Sequence, residues 1–349
     1  MPSTPFDQPG QLLFVGFPGT RLPEELAARI GEGRIGGVVL FQRNLAEPAQ
    51  ARELVAALHA AAPPETPLLV TVDQEGGRVQ RLRAPWTEWP PMRRLGACND
   101  PARTAAVARA IARELRDLGI GLDFAPVVDV DTNPANPVIG DRSFARTCDE
   151  VALHARHFIL SMQAEGVAAC AKHFPGHGDT AQDSHFDLPR LDHDLERLRR
   201  VELPPFRAAI EAGVASVMTA HVLLPRLDPV RPATLSPEAL GLLREELGFD
   251  GVVFSDDLEM RAVADRFSPA ERVLGALRAG VDVLLVCSDA TLWSEALRVL
   301  ESAPDALLER GLARLRALKA RYAGMGSRRA AAPGGPPYEA HRRLAAELA

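Results

Sequence analysis

Short apolar runs rich in β-branched residues recur along the chain, and longer stretches with helical periodicity separate them. The runs are continuously apolar, which is typical of parallel strands that helices cover on both faces. The strand candidates begin near Leu12, Gly37, Leu68, Leu122, Val167, Ser216, Val252 and Val281. The helical patterns between them include residues 49–62, 101–118, 149–165, 195–212, 237–247 and 269–279. This alternation predicts an α/β fold, a single-domain (β/α)8 barrel of the TIM type.

The alternative arrangement of such units is an open, doubly wound sheet. No GxGxxG motif follows the first strand candidate to support it. Polar residues instead follow the strand candidates repeatedly, at the positions where a β/α barrel carries its reacting groups. These residues are Asp73, Asp129, Asp131, Lys172, His173, His221, Asp256, Asp257 and Ser288. Their distribution favours the barrel and predicts an active face at the carboxyl ends of its strands.

The length of the chain also suits one barrel. The sequence has 349 residues, and such a barrel needs roughly 250 plus insertions. We assign residues 1–322 to the barrel, and residues 323–349 to a flexible segment that ends in a short helical stretch at 338–348. The net charge of −6 argues against nucleic acid as a partner.

The cysteines and the start of the chain predict the compartment. The four cysteines show no CxxC spacing, so we expect neither a disulfide framework nor a cysteine-rich metal site. The chain begins without a basic and then apolar secretory signal. No apolar run approaches the roughly 18 residues of a membrane span. We therefore expect a soluble, cytoplasmic protein with no membrane partner, while its oligomeric state is not readable from the sequence.

The segment KHFPGHGDTAQDSH, residues 172–185, has the densest candidate chemistry. Histidine and carboxylate side chains suit zinc or iron, although the HExxH spacing is absent and Gly176 and Gly178 make a poor rigid frame for ligands. The same residues suit acid–base chemistry, with Asp183 orienting His185, because imidazole exchanges a proton near neutral pH. On these residues alone the metal, acid–base and structural interpretations all stay open.

Three further segments carry charged residues into predicted loops. The segment GVVFSDDLEM, residues 251–260, places Asp256 and Asp257 at a strand end. A carboxylate there could be the nucleophile for glycosidic cleavage, or it could only cap the next turn. VDQEGGRVQR, residues 72–81, surrounds a diglycine turn with Asp73 and two arginines. NPVIGDRSF, residues 136–144, adds Arg142. A calcium loop starting at Asp129 is excluded, because proline stands where that loop needs glycine.

Together these segments resemble family 3 glycoside hydrolases, most closely the bacterial β-N-acetylhexosaminidases of cell-wall recycling, over about residues 12–318. The resemblance implies that Asp256 is the nucleophile, His185 the acid/base and Asp183 its partner. It also implies sugar-holding roles for a set of polar residues and, with weaker support, a site-facing position for His221. The sugar-holding set is Asp73, Arg81, Arg142, Lys172 and His173.

The activity implied by the resemblance is that of a retaining exo-β-N-acetylglucosaminidase. Its substrate would be GlcNAc linked to muropeptides, and it would need no cofactor and no metal. In longer relatives with glucosidase activity a second domain supplies a glutamate as the acid/base. We expect no such domain here, which favours His185 on the barrel. The alternatives are phosphorolysis of the same bond, a family 3 β-glucosidase, a metal-dependent barrel hydrolase and a non-catalytic sugar-binding protein.

Overall fold

The computed structural model describes residues 8–184, 187–323 and 335–348. Eight parallel strands close into a barrel in chain order, and the last strand pairs with the first. The strands are β1 Leu13–Val15, β2 Gly37–Leu40, β3 Leu69–Val72, β4 Leu122–Asp123, β5 Ala168–Phe174, β6 Ser216–Thr219, β7 Val252–Asp257 and β8 Val283–Val286. The predicted barrel is confirmed, and the open sheet is excluded.

Helices connect these strands and cover the outside of the barrel. They are α1 Glu24–Gly31, α2 Pro48–Ala61, α3 Met92–Cys98, α4 Pro101–Leu118, α5 Cys148–Ala164, α6 Leu195–Arg197, α7 Leu203–Glu211, α8 Pro237–Gly241, α9 Arg261–Ala264, α10 Pro269–Ala279, α11 Ala290–Glu301, α12 Asp305–Tyr322 and α13 Glu339–Ala346. In the described part of the chain, no helix has the length and apolar character that crossing a membrane requires.

The predicted helix over residues 195–212 is interrupted. Between α6 and α7, Leu198–Glu202 form a π-helical turn. Pro204 and Pro205 follow after Leu203 and have no N–H to donate to the preceding turn, so regular α-helical bonding cannot continue through them. A second π-helical turn, Leu242–Glu246, ends the helix predicted over residues 237–247.

Capping residues explain why the bounds of two helices agree with the sequence pattern. The Asp100 side chain accepts the N–H of Ala102 at the start of α4, and α4 ends at Gly119 with a φ of 87°. Ser268 and Glu271 form a reciprocal capping box at the start of α10. These signals act within a single turn, which makes them readable from the sequence.

The barrel interior is packed with aromatic side chains. The Phe254 ring lies edge to face with Phe14 and Phe124, and both pairs of ring centroids are 5.3 Å apart. All three rings are buried, and Phe124 also lines the cavity above. Cys170 and Cys287 are buried free thiols. This packing gives the cavity a rigid floor.

The C-terminal helix α13 packs beside α4. His341 Nδ1 lies 2.7 Å from Glu114 Oε1, and the Tyr338 hydroxyl donates to Asp117 at 3.0 Å. Ala345 and Leu348 are buried. Residues 324–334 of the predicted flexible segment lie outside the described residues, so the division at residue 322 stays a prediction.

Candidate active site

A cavity of about 180 Å³ lies at the carboxyl ends of the strands. It is smaller than the roughly 300–1,000 Å³ of sites for drug-sized ligands, so it suits one monosaccharide unit. Its polar lining residues are Asp73, Glu75, Arg81, Arg142, Lys172, His173, His177, Ser184, Asp256 and Asp257. The barrel thus brings together six of the residues predicted from the sequence, namely Asp73, Arg81, Arg142, Lys172, His173 and Asp256.

Lys172, in β5, lies between two carboxylates. Its Nζ is 2.8 Å from Asp73 Oδ1 and 2.6 Å from Glu75 Oε1. Burial works to lower the pKa of Lys172, but the two carboxylates outweigh it and hold the pKa above its ordinary value. The ammonium has three N–H donors, and these contacts use two of them. The third can therefore serve a ligand in the cavity.

Glu75 joins Lys172 to Arg142. The Arg142 guanidinium donates two hydrogen bonds to the Glu75 carboxylate, from Nε to Oε2 and from Nη2 to Oε1, both 2.8 Å long. Burial works to raise the pKa of Glu75, but Arg142 and Lys172 hold it well below its usual range. Glu75 is not among the site residues predicted from the sequence. Its position two residues after Asp73, beside the glycines, was the only available signal.

The loop after β3 orients Arg81. Arg81 Nη2 lies 3.2 Å from Asp73 Oδ2, and the Arg81 amide donates to the Gln74 side chain at 2.8 Å. Gly76 and Gly77 turn the loop with φ values of 96° and 58°, which L side chains rarely adopt. Burial works to raise the pKa of Asp73, but Lys172 and Arg81 lower it below its ordinary value. The carboxylate is therefore ionised and faces the cavity.

His173 is held by a buried carboxylate. Its Nδ1 lies 2.8 Å from Asp129 Oδ2, and its Nε2 lies 3.4 Å from Arg142 Nη2. A carboxylate can only accept, so His173 donates from Nδ1 to Asp129. Burial works to raise the pKa of Asp129, but His173 holds it below its ordinary value. Asp129 therefore fixes the ring, a role that the sequence did not indicate.

The end of β7 presents two acids to the cavity. The Asp257 amide donates to Asp256 Oδ1 at 2.8 Å, which orients the Asp256 carboxylate. Asp257 Oδ1 accepts the amides of Glu259 at 3.1 Å and Cys287 at 3.3 Å. Burial, together with Glu259 and Asp256, raises the pKa of Asp257 to about 7. Asp257 is therefore partly protonated near neutral pH.

Asp183 of the predicted acid/base pair lies in the loop after β5. His185 lies outside the described residues, so the Asp183–His185 pair stays a prediction. Asp183 is half-buried, and its carbonyl accepts the Asp187 amide at 3.1 Å. Ser184, between the two predicted residues, lines the cavity and lies 3.0 Å from His177 Nε2.

His221 lies behind the cavity wall, which differs from the expectation that it faces the site. Its Nδ1 is 2.8 Å from Thr234 Oγ1, and its Nε2 is 2.9 Å from the Asp257 carbonyl oxygen. The side chain is fully buried and does not line the cavity. Its position after β6 directs it toward the backbone of β7. His221 therefore supports the strand that carries Asp256.

Within residues 8–184, 187–323 and 335–348, no group of three or more His, Cys, Asp or Glu side chains is arranged to hold a metal ion. His173 and His177, which the metal interpretation would use, instead bond to Asp129 and to Thr180 and Ser184.

Curated relatives share most of this sequence. A beta-hexosaminidase of Thiobacillus denitrificans is 44% identical over 296 residues, which are 83% of this chain and 81% of that protein. A beta-hexosaminidase of Alkalilimnicola ehrlichii is 41% identical over 310 residues, 87% of this chain and 88% of its own length.

Solved structures share the fold over nearly the whole chain. A glycoside hydrolase family 3 beta-N-acetylglucosaminidase from Paenibacillus has a TM-score of 0.93 at 41% identity, over 99% of this chain and 68% of that one. Native NagZ from Neisseria gonorrhoeae has a TM-score of 0.84 at 34% identity, over 97% of both chains. The model of the glycosyl hydrolase family 3 N terminal domain matches residues 7–316. The chain therefore belongs to glycosyl hydrolase family 3.

Proposed function

We propose that the chain is a retaining exo-β-N-acetylglucosaminidase that cleaves terminal β-linked GlcNAc through a covalent glycosyl-enzyme intermediate. The observation that carries the proposal is the Asp256 carboxylate at the end of β7, in a cavity of about 180 Å³ that also holds Asp73, Arg81 and Lys172. Such a cavity admits one sugar unit at a time, which is the geometry of cleavage at a chain end.

Asp256 attacks the anomeric carbon in this mechanism. The amide of Asp257 fixes the orientation of the attacking carboxylate. The raised pKa of Asp257, about 7, reduces the negative charge beside the nucleophile. The ester that forms is then hydrolysed by water, so the configuration at the anomeric carbon is retained.

Asp183 and His185 provide the proton transfers in the proposal. A neutral histidine avoids a second anion near the nucleophile, and it protonates the leaving oxygen and later activates water. Asp183 would stabilise the imidazolium that forms, as the aspartate does in hydrolase triads. Asp183 and His185 enter this proposal from the sequence motif, and Ser184 between them is a cavity residue.

The sugar is held by charged groups that are already in place. Asp73 can accept two adjacent hydroxyls while it stays paired with Lys172 and Arg81. Arg142 and His173 complete the set of charged and polar contacts. NagZ from Neisseria gonorrhoeae has been solved in complex with N-trifluoroacetyl-D-glucosamine, which supports a 2-acylamino sugar as the ligand of this cavity. The aglycone that we propose is a muropeptide fragment, with cytoplasmic action on recycled cell wall.

A set of nitrophenyl β-glycosides tests the sugar specificity. We expect kcat/KM to be much higher on the GlcNAc glycoside than on the glucoside or xyloside, because the segments that supply the cavity residues resemble those of bacterial β-N-acetylhexosaminidases. Equal kcat/KM on the GlcNAc glycoside and the glucoside would contradict the proposal. Product analysis with and without inorganic phosphate separates release of free GlcNAc from release of GlcNAc 1-phosphate.

Variants at the two catalytic positions test the mechanism. Asp256→Ala should stop turnover of every β-GlcNAc substrate, whatever its leaving group. His185→Ala should lose about 10²–10⁴-fold in the glycosylation of a natural disaccharide, and far less on a dinitrophenyl glycoside, whose leaving group needs little protonation. With the activated substrate this variant should accumulate an ester on Asp256, which mass spectrometry detects. An adduct on Asp257 or Glu259 would show that this residue, and not Asp256, is the nucleophile.

A further inference from the structure

His177 is a buried cavity residue that the proposed mechanism does not use. It belongs to the segment 172–185, it is 1% exposed, and its ring makes a contact at each nitrogen. Nδ1 lies 2.7 Å from Thr180 Oγ1, and Nε2 lies 3.0 Å from Ser184 Oγ. The ring therefore spans the loop from its beginning to the residue just before His185.

The hydrogen bonds of Thr180 fix the direction of these contacts. Thr180 Oγ1 donates its single proton to the His177 carbonyl at 3.1 Å. In its contact with Nδ1 it is therefore the acceptor. Nε2 is then the unprotonated nitrogen and accepts from the Ser184 hydroxyl. Burial, together with nearby His173, lowers the pKa of His177 to about 4, so the ring stays neutral near neutral pH. His177 is therefore a permanent acceptor for Ser184.

The backbone of His177 is fixed on the sugar-binding side of the cavity. Its amide donates to Asp129 Oδ1 at 2.7 Å, and the same carboxylate holds His173. Its carbonyl accepts from Asn136 Nδ2 at 2.8 Å. Gly178 packs so closely on the Val130 carbonyl that a Cβ would lie 1.8 Å from its oxygen. These contacts make His177 a fixed reference point in the site.

Ser184 is tied to both sides of the cavity. It is 1% exposed, and its hydroxyl donates to His177 as described above. Its carbonyl accepts the amide of Ala262, in the helix α9 that follows the nucleophile strand, at 3.3 Å. Asp183 and His185 are its direct neighbours in the sequence. The placement of Ser184 therefore sets where the proposed acid/base segment begins.

We infer that His177 is a positioning residue, and that its hydrogen bond from Ser184 fixes this point of the segment to which the proposed function assigns acid/base catalysis. The inference rests on the proposed function. It assigns His177 no contact with the sugar and no proton transfer. The bond acts only on the step that needs an acid or a base.

The test is the Ser184→Ala variant, assayed on a GlcNAc disaccharide and on the dinitrophenyl β-GlcNAc glycoside. We expect kcat/KM on the disaccharide to fall on the order of tenfold, a part of the 10²–10⁴ that general acid catalysis supplies. On the dinitrophenyl glycoside the fall should be several times smaller. The inhibition constant of GlcNAc should stay unchanged, because the sugar contacts are intact.

A matched control is Ser216→Ala, which also removes a buried hydroxyl, one that donates from Oγ to the Ala169 carbonyl at 3.1 Å. This variant should show the parent ratio of the two substrates. His177→Asn shortens the side chain and removes the acceptor of the bond, so it should show the same leaving-group dependence as Ser184→Ala. The double variant should be no worse than the poorer single variant, because both changes remove the same interaction.

Two results would overturn the inference. One is an equal loss on both substrates in Ser184→Ala and His177→Asn. The other is parent kinetics in both variants. His185→Ala, measured in parallel, distinguishes a failure of the inference about His177 from a failure of the proposed function. If His185→Ala itself shows no leaving-group dependence, the acid/base assignment is wrong. If it does while both positioning variants do not, only the role of His177 is wrong.

Discussion

Glu75 is the shared counterion of two cations in the cavity wall. It is 2% exposed and carries the only charge in direct contact with both Arg142 and Lys172 among the described residues. Removing one member of a buried ion network leaves the others uncompensated, which costs more than the contact itself contributes. The sugar-binding geometry therefore depends on a residue that need not touch the sugar.

We predict that Glu75→Gln lowers the free energy of unfolding by about 3–5 kcal/mol and weakens GlcNAc binding by roughly tenfold or more. Because the pKa of Glu75 is depressed in the folded state, its contribution is present above about pH 4.3 and is lost as the pH falls below that value. Urea unfolding and calorimetric titration with GlcNAc measure the two effects. The exposed Glu309→Gln variant is the control, and parent-like binding by Glu75→Gln would contradict the prediction.

Asp123 is a buried carboxyl below the cavity. Its Oδ1 accepts the Gln74 amide at 2.8 Å, and its Oδ2 has no hydrogen-bond partner among the described residues. Burial raises the pKa of Asp123 to about 8, although the Gln74 amide and Lys172 act in the opposite direction. The carboxyl is therefore protonated at pH 7 in the folded chain.

We predict that Asp123 makes stability fall as the pH rises from about 4 to about 8. In this window the folded chain keeps a proton that the unfolded chain has released, so each pH unit costs up to about 1.4 kcal/mol. The neutral amide of Asp123→Asn removes this dependence and keeps an acceptor for Gln74. Urea unfolding at several pH values should give a shallower slope for the variant. Identical slopes in the two proteins would exclude a raised pKa.

The charged motifs could be predicted from the sequence, but their supporting carboxylates could not. Asp73, Lys172 and Asp256 stand in segments whose order along the chain is specific to the family. In the sequence alone, Glu75 and Asp129 cannot be distinguished from ordinary polar residues near strand ends. Their partners, Arg142 and His173, are distant in sequence, so their function becomes visible only when the barrel closes.

At the level of elements, β4 differs most from its sequence pattern. The apolar run 122–130 predicts a long strand, yet only Leu122–Asp123 form it. Pro126 cannot donate to a neighbouring strand, and Val127 makes only an isolated bridge to Lys172. The segment still bonds to β5, because the carbonyls of Ala125 and Pro126 accept the amides of Cys170 and Lys172. It then brings Asp129 under His173. The apolar pattern predicts the burial of this run but not the irregular strand pairing after Asp123.

Helix α13 is the second element that the sequence left undecided. Glu114 accepts from His341 at 2.7 Å and from the Thr87 hydroxyl at 2.5 Å, and Arg342 donates to the Pro85 carbonyl at 2.8 Å. Thr87 and Pro85 belong to the loop that also carries Arg81. The helix therefore supports this loop from outside the barrel.

We predict that His341→Ala lowers the free energy of unfolding by about 1–3 kcal/mol, because it removes a partner of the buried Glu114 carboxylate. The exposed Glu347→Ala, directly after the same helix, should have little effect. Urea unfolding of both variants makes the comparison. A loss of equal size in the two variants would show that the helix contributes only as a whole.

At the scale of the whole molecule, one end of the barrel carries the cavity and the other carries an ion-pair network. Asp282, just before β8, lies at the end opposite the cavity. Its carboxylate accepts from Arg244 at 2.5 Å, from Arg314 at 3.1 Å and from the Val253 amide at 2.8 Å. This network joins two strands to α12, and it has no contact with the cavity residues described above.

We predict that Asp282→Asn costs about 3 kcal/mol of stability, at the lower end of the range for a broken buried pair, and leaves kcat/KM unchanged at temperatures where the variant is folded. Residues at the amino-terminal face of such a barrel act on stability and not on chemistry. The exposed pair of Asp192 with Arg190 provides the control, since Asp192→Asn should change neither quantity. A fall in kcat/KM of folded Asp282→Asn would contradict this division.

The size of the cavity also governs how a long substrate would be consumed. A space of about 180 Å³ closed by a packed aromatic floor takes the last sugar of a chain and leaves the rest outside. On a polymer, free monosaccharide would therefore appear from the first turnovers, while the viscosity of the solution would hardly change. The rate would follow the number of chain ends and not the mass of polymer. Enzymes that cut the polymer internally would raise this rate, because each internal cut creates a new chain end.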